Sequence, residues 1–413
     1  MRSVLVALLL VTSLAGCVTP PLPPLGPERT TSALDPDEQA LWKESRELQY
    51  KIEVGGLLFD DAEVDAYLAR VLERVTPPVL RQASVTPRVE VVSNVNIHGY
   101  SFANGVIYIH TALLAHMEDE NQLATLLSRE LAHVVGRNAL RAKREARQRA
   151  DQMAWITVGS SLVEGGGNAK LLMQAAAMTT AVGFDHSIET IADKRGFEFL
   201  EDGGYAVAPA PGLYEMSLVY LGEVHAQGVW GWAPFTPPPQ VVARVNGMKA
   251  LIAASYANQR ADRAPILDAA EFRRKIHPVT IRQAELERAA GLFLSAEATA
   301  RLATESNPRD PQGWVLLAKA LTGQRSKPIP KRTVPSIKDV RAALEGALRA
   351  DGRNADATRE LAMTYYRNGS SRRTAEDRDQ ALKLFRSYLR LVPRAGDREY
   401  VAGYIEQLEG EAR

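Results

Sequence analysis

The sequence predicts a mainly helical chain with a small β-sheet in its first part and an α-helical repeat in its last. Three features carry that prediction. Apolar residues recur at helical spacing through most of the chain after Asp37. Strand patterns, one alternating stretch and one hairpin signal, fall between Arg88 and His110. Beyond Pro278, helical segments come in pairs joined by short polar or Pro-containing stretches. A chain of 413 residues is long enough for about two to three domains with a sizeable core. Lys and Arg nearly balance Asp and Glu, for a formal charge of +1, so a nucleic-acid partner is not expected.

The first residues stand apart from the fold. Met1-Arg2 is a short positive start, Val4 to Val11 is apolar, and Leu14-Ala15-Gly16-Cys17 closes the segment. The apolar run is shorter than the ~20 residues that span a bilayer. It resembles the lipobox of bacterial lipoproteins, which implies a signal peptide over 1–16, cleavage before Cys17, and acylation of that residue as a membrane anchor. Val18, where an Asp would signal retention, implies the outer membrane, with the protein on its periplasmic side. Cys17 is the only cysteine, so no intrachain disulfide can form. Residues 17–36 read as an extended tether, since Val18 to Pro36 holds six prolines.

The elements follow in order. Asp37 to Ile52 is helical until Gly55-Gly56, and Val64, Leu68, Val71 and Leu72 mark a second helix that Pro77-Pro78 ends. Arg88 to Ser93 alternates as a strand, and Asn104-Gly105 is a hairpin turn leading into β-prone Val106 to Ile109. Helix is expected from Thr111 to about Met153, interrupted near Asp119, with Leu123 to Arg144 as one amphipathic stretch. Gly165 to Gly167 reads as a loop, then Ala169 to Val182, Ser187 to Asp202 and Val241 to Ala257 as helices. Helical pairs follow: Arg282 to Ser306 with Gln312 to Leu321, Val340 to Ala350 with Asp356 to Asn368, and Arg378 to Leu391 with Arg398 to Leu408. They resemble degenerate tetratricopeptide repeats, which stack into a short solenoid. The boundaries expected are 37–277 for the first domain and 278–413 for the repeats.

Within Leu123 to Arg144, the run Arg129-Glu130-Leu131-Ala132-His133 resembles an HExxH motif with its first histidine replaced. An intact motif sets two histidines at i and i+4 on one helix face, with the glutamate beside them as general base. Three further stretches keep its company: Asn96 to Leu114, Glu189 to Tyr205 and Phe235 to Val245. Together they resemble peptidase family M-48, zinc metallopeptidases with a zincin-like α+β domain, some of which carry C-terminal tetratricopeptide repeats. The resemblance covers roughly Asp35 to Ala257. Carried onto this chain, it puts the relic general base at Glu130, the surviving ligand at His133, and Arg129 and Ile191 where the other two ligands would be. Asp193 resembles the family's aspartate behind the metal, and Pro238 falls where a nearby loop histidine would. Arginine cannot deprotonate to offer a lone pair, and isoleucine has none. Glu189, about 200° around a helix from Ile191, is expected to face away. Asp185 and His186 are the only substitutes considered, and the remaining histidines read as surface or hydrogen-bonded residues. Arg129 is expected to fill the zinc void, neutralised by Asp193 or Glu130.

These readings lead to a membrane-anchored, non-catalytic binding or scaffolding factor in envelope protein assembly or quality control, with no cofactor. Its expected partners are protein or peptide clients. They would add to Val106, Ile107, Tyr108 and Ile109 as an edge strand, or dock on the repeats. Trp230, Trp232 and Phe235 read as a lid or contact patch, or equally as buried packing. The rival is an active zinc endopeptidase with an atypical ligand set around His133; a third reading is a structural protein with a closed groove.

Overall fold

Helix α1 (Pro36–Val54) opens the first unit, followed by α2 (Ala62–Val75), capped by the Asp61 carboxylate, and the short α3 (Pro78–Gln82). A computed structural model describes residues 22–26, 34–83, 85–148, 171–172, 174–175, 186–227, 238–256, 266–330, 332–366 and 373–411. Cys17, the loop at 165–167 and the aromatic residues Trp230, Trp232 and Phe235 lie outside them. Strands β1 (Arg88–Val92), β2 (Gly99–Ser101) and β3 (Val106–His110) form one sheet, and α4 (Thr111–His116), α5 (Glu120–Val135), α6 (Asn138–Gln148), α7 (His186–Asp202), α8 (Gly212–Ala226) and α9 (Pro238–Ser255) follow it, with α4 and α5 against the strands. The fold class is as expected, mainly helical with a small mixed sheet. Among the described residues no helix is long and apolar enough to cross a membrane.

The sheet order is β1-β3-β2, with β1 parallel and β2 antiparallel to β3. Val106, Ile107, Tyr108 and Ile109 are therefore central and buried, not an edge strand for a client. The hairpin signal located β3 correctly, but its second neighbour pairs in parallel across a long connection that no local pattern reports. The outer side of β1 meets the chain at Leu57 to Phe59, where the Phe59 N–H donates to the Val91 carbonyl at 2.8 Å. The outer strand among the described residues is β2.

Helix α5 is the centre of this unit. Its Asp119 cap accepts from the Gln122 N–H at 2.9 Å, and nearly every residue from Glu120 to Val135 is buried. The expected continuous helix to Arg144 breaks at Gly136-Arg137, where Arg137 takes a positive φ of 53°. Buried Arg137 donates from Nε to Glu38 at 2.9 Å and from Nη2 to Asp35 at 3.2 Å, contacts that hold the unfavourable backbone. It also donates to the Pro23 carbonyl at 3.3 Å, and the Leu25 N–H donates to the Val135 carbonyl at 2.9 Å. Leu25 and Leu34 join the main core. Residues 22–26 of the expected tether thus pack on the domain, because a Leu among the prolines supplies an apolar anchor.

The second part begins at α10 (Ala269–Lys275) and α11 (His277–Ala289) and continues through α12 (Phe293–Ser306), α13 (Pro311–Ser326), α14 (Ile337–Ala350), α15 (Ala355–Tyr366), α16 (Ala375–Leu391) and α17 (Arg398–Gly410). The stretch read as one helix from Arg282 to Ser306 splits at Gly291, whose φ of 76° suits glycine and ends α11. Helix α11 packs on α4, and the Thr111 hydroxyl donates to Gln283 at 2.7 Å. Phe272, Ile276 and Val279 belong to the core of the first unit, so the repeats are joined to it by packing as well as by the chain.

Candidate functional site

The site lies where α7 crosses α5. A Cβ on Gly196 would sit 3.1 Å from the Arg129 Cα, so this glycine lets the two helices approach at Arg129 itself. Four residues apart on α5, Arg129 and His133 share a face; Glu189 and Asp193 do the same on α7 and meet them. Ile191, two residues from each, is 57% exposed and points outward. The expected placement is thereby reversed: Glu189 stands beside His133, and Ile191 is no part of the site. The i, i+4 spacing of Glu189 and Asp193, matching that of Arg129 and His133, was the signal that could have found it.

Arg129 is the hub. Its Nη1 donates to Glu130 at 2.6 Å, Nη2 donates to Glu189, and Nε lies 3.4 Å from Asp193. Glu189 also accepts from Arg244 of α9, whose other terminal nitrogen donates to the Tyr214 hydroxyl of α8 at 3.3 Å. His133 Nε2 lies 3.8 Å from the same Glu189 oxygen, and the Asn138 amide nitrogen lies 2.7 Å from Nδ1. With the amide nitrogen donating, Nδ1 accepts and the ring proton belongs on Nε2; with the amide turned over, the roles reverse. The second Glu130 oxygen accepts from the Ser101 hydroxyl of β2 at 2.8 Å. Both oxygens of the expected general base are therefore already bonded. The side chain of His186 lies outside the described residues.

Burial works against every charge in this cluster, and the pairings decide which survive. Burial raises the Glu189 carboxyl, but the Arg129 and Arg244 guanidiniums outweigh it and hold it well below the usual carboxylate range. Burial lowers Arg129, but Tyr214, Glu189, Glu130 and Asp193 outweigh it and keep it firmly charged. For Asp193 burial wins over Arg244 and Arg129 and pushes the carboxyl up. Burial, then Arg129, push the His133 imidazole well below its ordinary value and keep it neutral.

A catalytic zinc site takes three protein ligands and an open position. Here His133 and Glu189 are two candidate donors, and the third corner holds a guanidinium that has no lone pair to give. Among the described residues no group of three or more His, Cys, Asp or Glu side chains is arranged to hold a metal ion. The residues present do not fit the zinc centre that the motif implies.

Residues 62–258, which hold the small mixed sheet and the buried helix with the variant HExxH run, match the model of Peptidase family M48. The chain is also similar, at 27% identity over 133 residues, to the beta-barrel assembly-enhancing protease of Escherichia coli, covering 31% of this chain and 27% of that one. Likeness to the protease of the same name from Yersinia pestis is 27% over 130 residues, 30% of this chain and 26% of the relative. The match therefore spans about a quarter of the length of these curated relatives.

Proposed function

We propose that this protein is a lipid-anchored factor of the bacterial outer membrane whose metallopeptidase-type domain binds protein clients without cleaving them. One observation carries the reading: the Arg129 guanidinium, bonded to Glu130 and Glu189, occupies the corner where the first metal ligand would stand. The names of the similar proteases point the clients toward proteins in envelope assembly. An extended client would add to β2, whose Ser101 touches Glu130, since β3 is already paired on both sides. The repeats would provide a second docking surface. The rival, an active zinc endopeptidase, draws on the presence of His133, Glu130 and Glu189 at one place.

The test is zinc content and client fate measured together. The chain from Cys17 onward, purified without chelator, is expected to carry less than about a tenth of the one zinc a catalytic site holds. It should bind an unfolded outer-membrane protein saturably and leave it intact. A full equivalent of zinc that disappears in His133→Ala, with cleavage of the client, would establish the rival. Neither binding nor cleavage would leave a purely structural role.

A further inference from the structure

We propose that Arg129 is a built-in structural cation: its guanidinium does the helix-clasping work of a metal ion, and its presence keeps the surrounding donors from binding one. This rests on reading the site as metallopeptidase-type, and deepens it by saying what replaced the metal and how completely.

The geometry supports the two halves separately. As a clasp, Arg129 reaches from α5 to Glu189 and Asp193 of α7, and Glu189 passes the connection to Arg244 of α9. A metal ion joins helices in the same way, by drawing donors from different elements to one positive centre. The centre here is a planar cation with five N–H donors, suited to several carboxylates at once. Its buried partners are the carboxylates of Glu130, Glu189 and Asp193. Removing Arg129 would take a cationic partner from Glu130, Glu189 and Asp193 at once.

As a lock, Arg129 sits among an otherwise assembled donor set. His133 and Glu189 already converge, with Nε2 and Oε2 3.8 Å apart. Position 129 is one helical turn before His133 on the same face, so a histidine there would supply the missing nitrogen. Close helix approach at Gly196 does not depend on the Arg129 side chain, so the α7 carboxylates should remain within reach after substitution. His133 would have to offer Nε2 as a lone pair. A rotated Asn138 amide can accept the Nδ1 proton and so permits that. One substitution, Arg129→His, should therefore convert the clasp into a site for a borderline-soft divalent cation such as zinc.

The experiment compares the mature chain with Arg129→His, Arg129→Lys, Arg129→Ala and Arg129→His/Glu189→Gln. Zinc per chain and thermal unfolding with and without added zinc are the readouts. The wild type should bind no zinc and unfold at one temperature either way. Arg129→Ala should lose roughly 10 °C, with no recovery on adding zinc. Arg129→Lys, which keeps the charge, should lose much less. Arg129→His should be destabilised without metal, bind about one zinc per chain and recover stability with it. The double variant should lose both. A folded Arg129→His that takes up no zinc overturns the lock, and an Arg129→Ala as stable as wild type overturns the clasp. Arg129→Lys as damaged as Arg129→Ala would also overturn it, since charge would then not be what matters. None of these readouts involves a client, so they fail or succeed independently of the binding role.

Discussion

Glu189 accepts from two buried guanidiniums, and that makes the site a source of pH dependence in the acid range. Its carboxyl is held below its ordinary value of 4.5, so its contribution to stability is present above about 4.5 and is lost as pH falls through the lowered folded value. His133 acts in the same direction. Its folded value lies well below 6.5, so the unfolded chain binds the extra proton first, and stability falls as pH drops below 6.5. Urea midpoints measured from pH 7 to pH 4 should therefore fall on the acid side, and Glu189→Gln should flatten the lower part of that curve. Glu189→Gln should also cost about 3 kcal/mol at pH 7, because it leaves Arg129 and Arg244 short of a buried counter-charge. A variant with the wild-type midpoint at pH 7 would show that this carboxylate does not anchor the cluster.

Helix α11 carries the opposite dependence at the junction with the first unit. Glu287 is fully buried among Gln283, Thr299 and Tyr220, accepting from Gln283 at 2.9 Å and from Thr299 at 2.6 Å. Thr299 also lies 3.2 Å from His116 of the first unit, which packs against Tyr220. Burial pushes the Glu287 carboxyl up to about 7, against the help of its hydrogen bonds. A raised value means stability that is complete below the ordinary 4.5 and is lost as pH rises through about 7. Glu287→Gln should thus stabilise the protein at pH 8, by up to about 3 kcal/mol, and change little at pH 4. Thermal unfolding at the two pH values checks it, and an equal effect at both would remove titration of Glu287 as the cause.

At the scale of the whole molecule, the docked residues 22–26 decide how the anchor relates to the site. Leu22 lies five residues after Cys17, and a chain of that length reaches at most about 18 Å. If Cys17 is acylated, the C-terminal end of α5 at Val135, two residues beyond His133, is held near the bilayer and not at the end of a long free tether. Arg137 is the clamp, through the Pro23 carbonyl, Glu38 and Asp35. A fluorophore on Cys17, the only thiol, should show high anisotropy in the wild type and a clear drop in Arg137→Ala. No difference between the two would mean that the strap is not held by this clamp.

Local pattern determined the elements and the altered motif. The 3.6-residue spacing of apolar side chains marked most helices, the Asn104-Gly105 turn marked β3, and the Arg129 to His133 run showed where the chain departs from the HExxH pattern. These are short-range properties, set by steric preference and by period. Only the tertiary structure decided that β3 is central, that Glu189 and not Ile191 faces His133, that α5 stops at Gly136-Arg137, and that Leu25 is core. Each of those depends on a partner far away in sequence: β1 for β3, the α5 face for Glu189, Glu38 for Arg137, Val135 for Leu25. A helix or strand reports its own period, but which of its faces meets which neighbour is settled by packing.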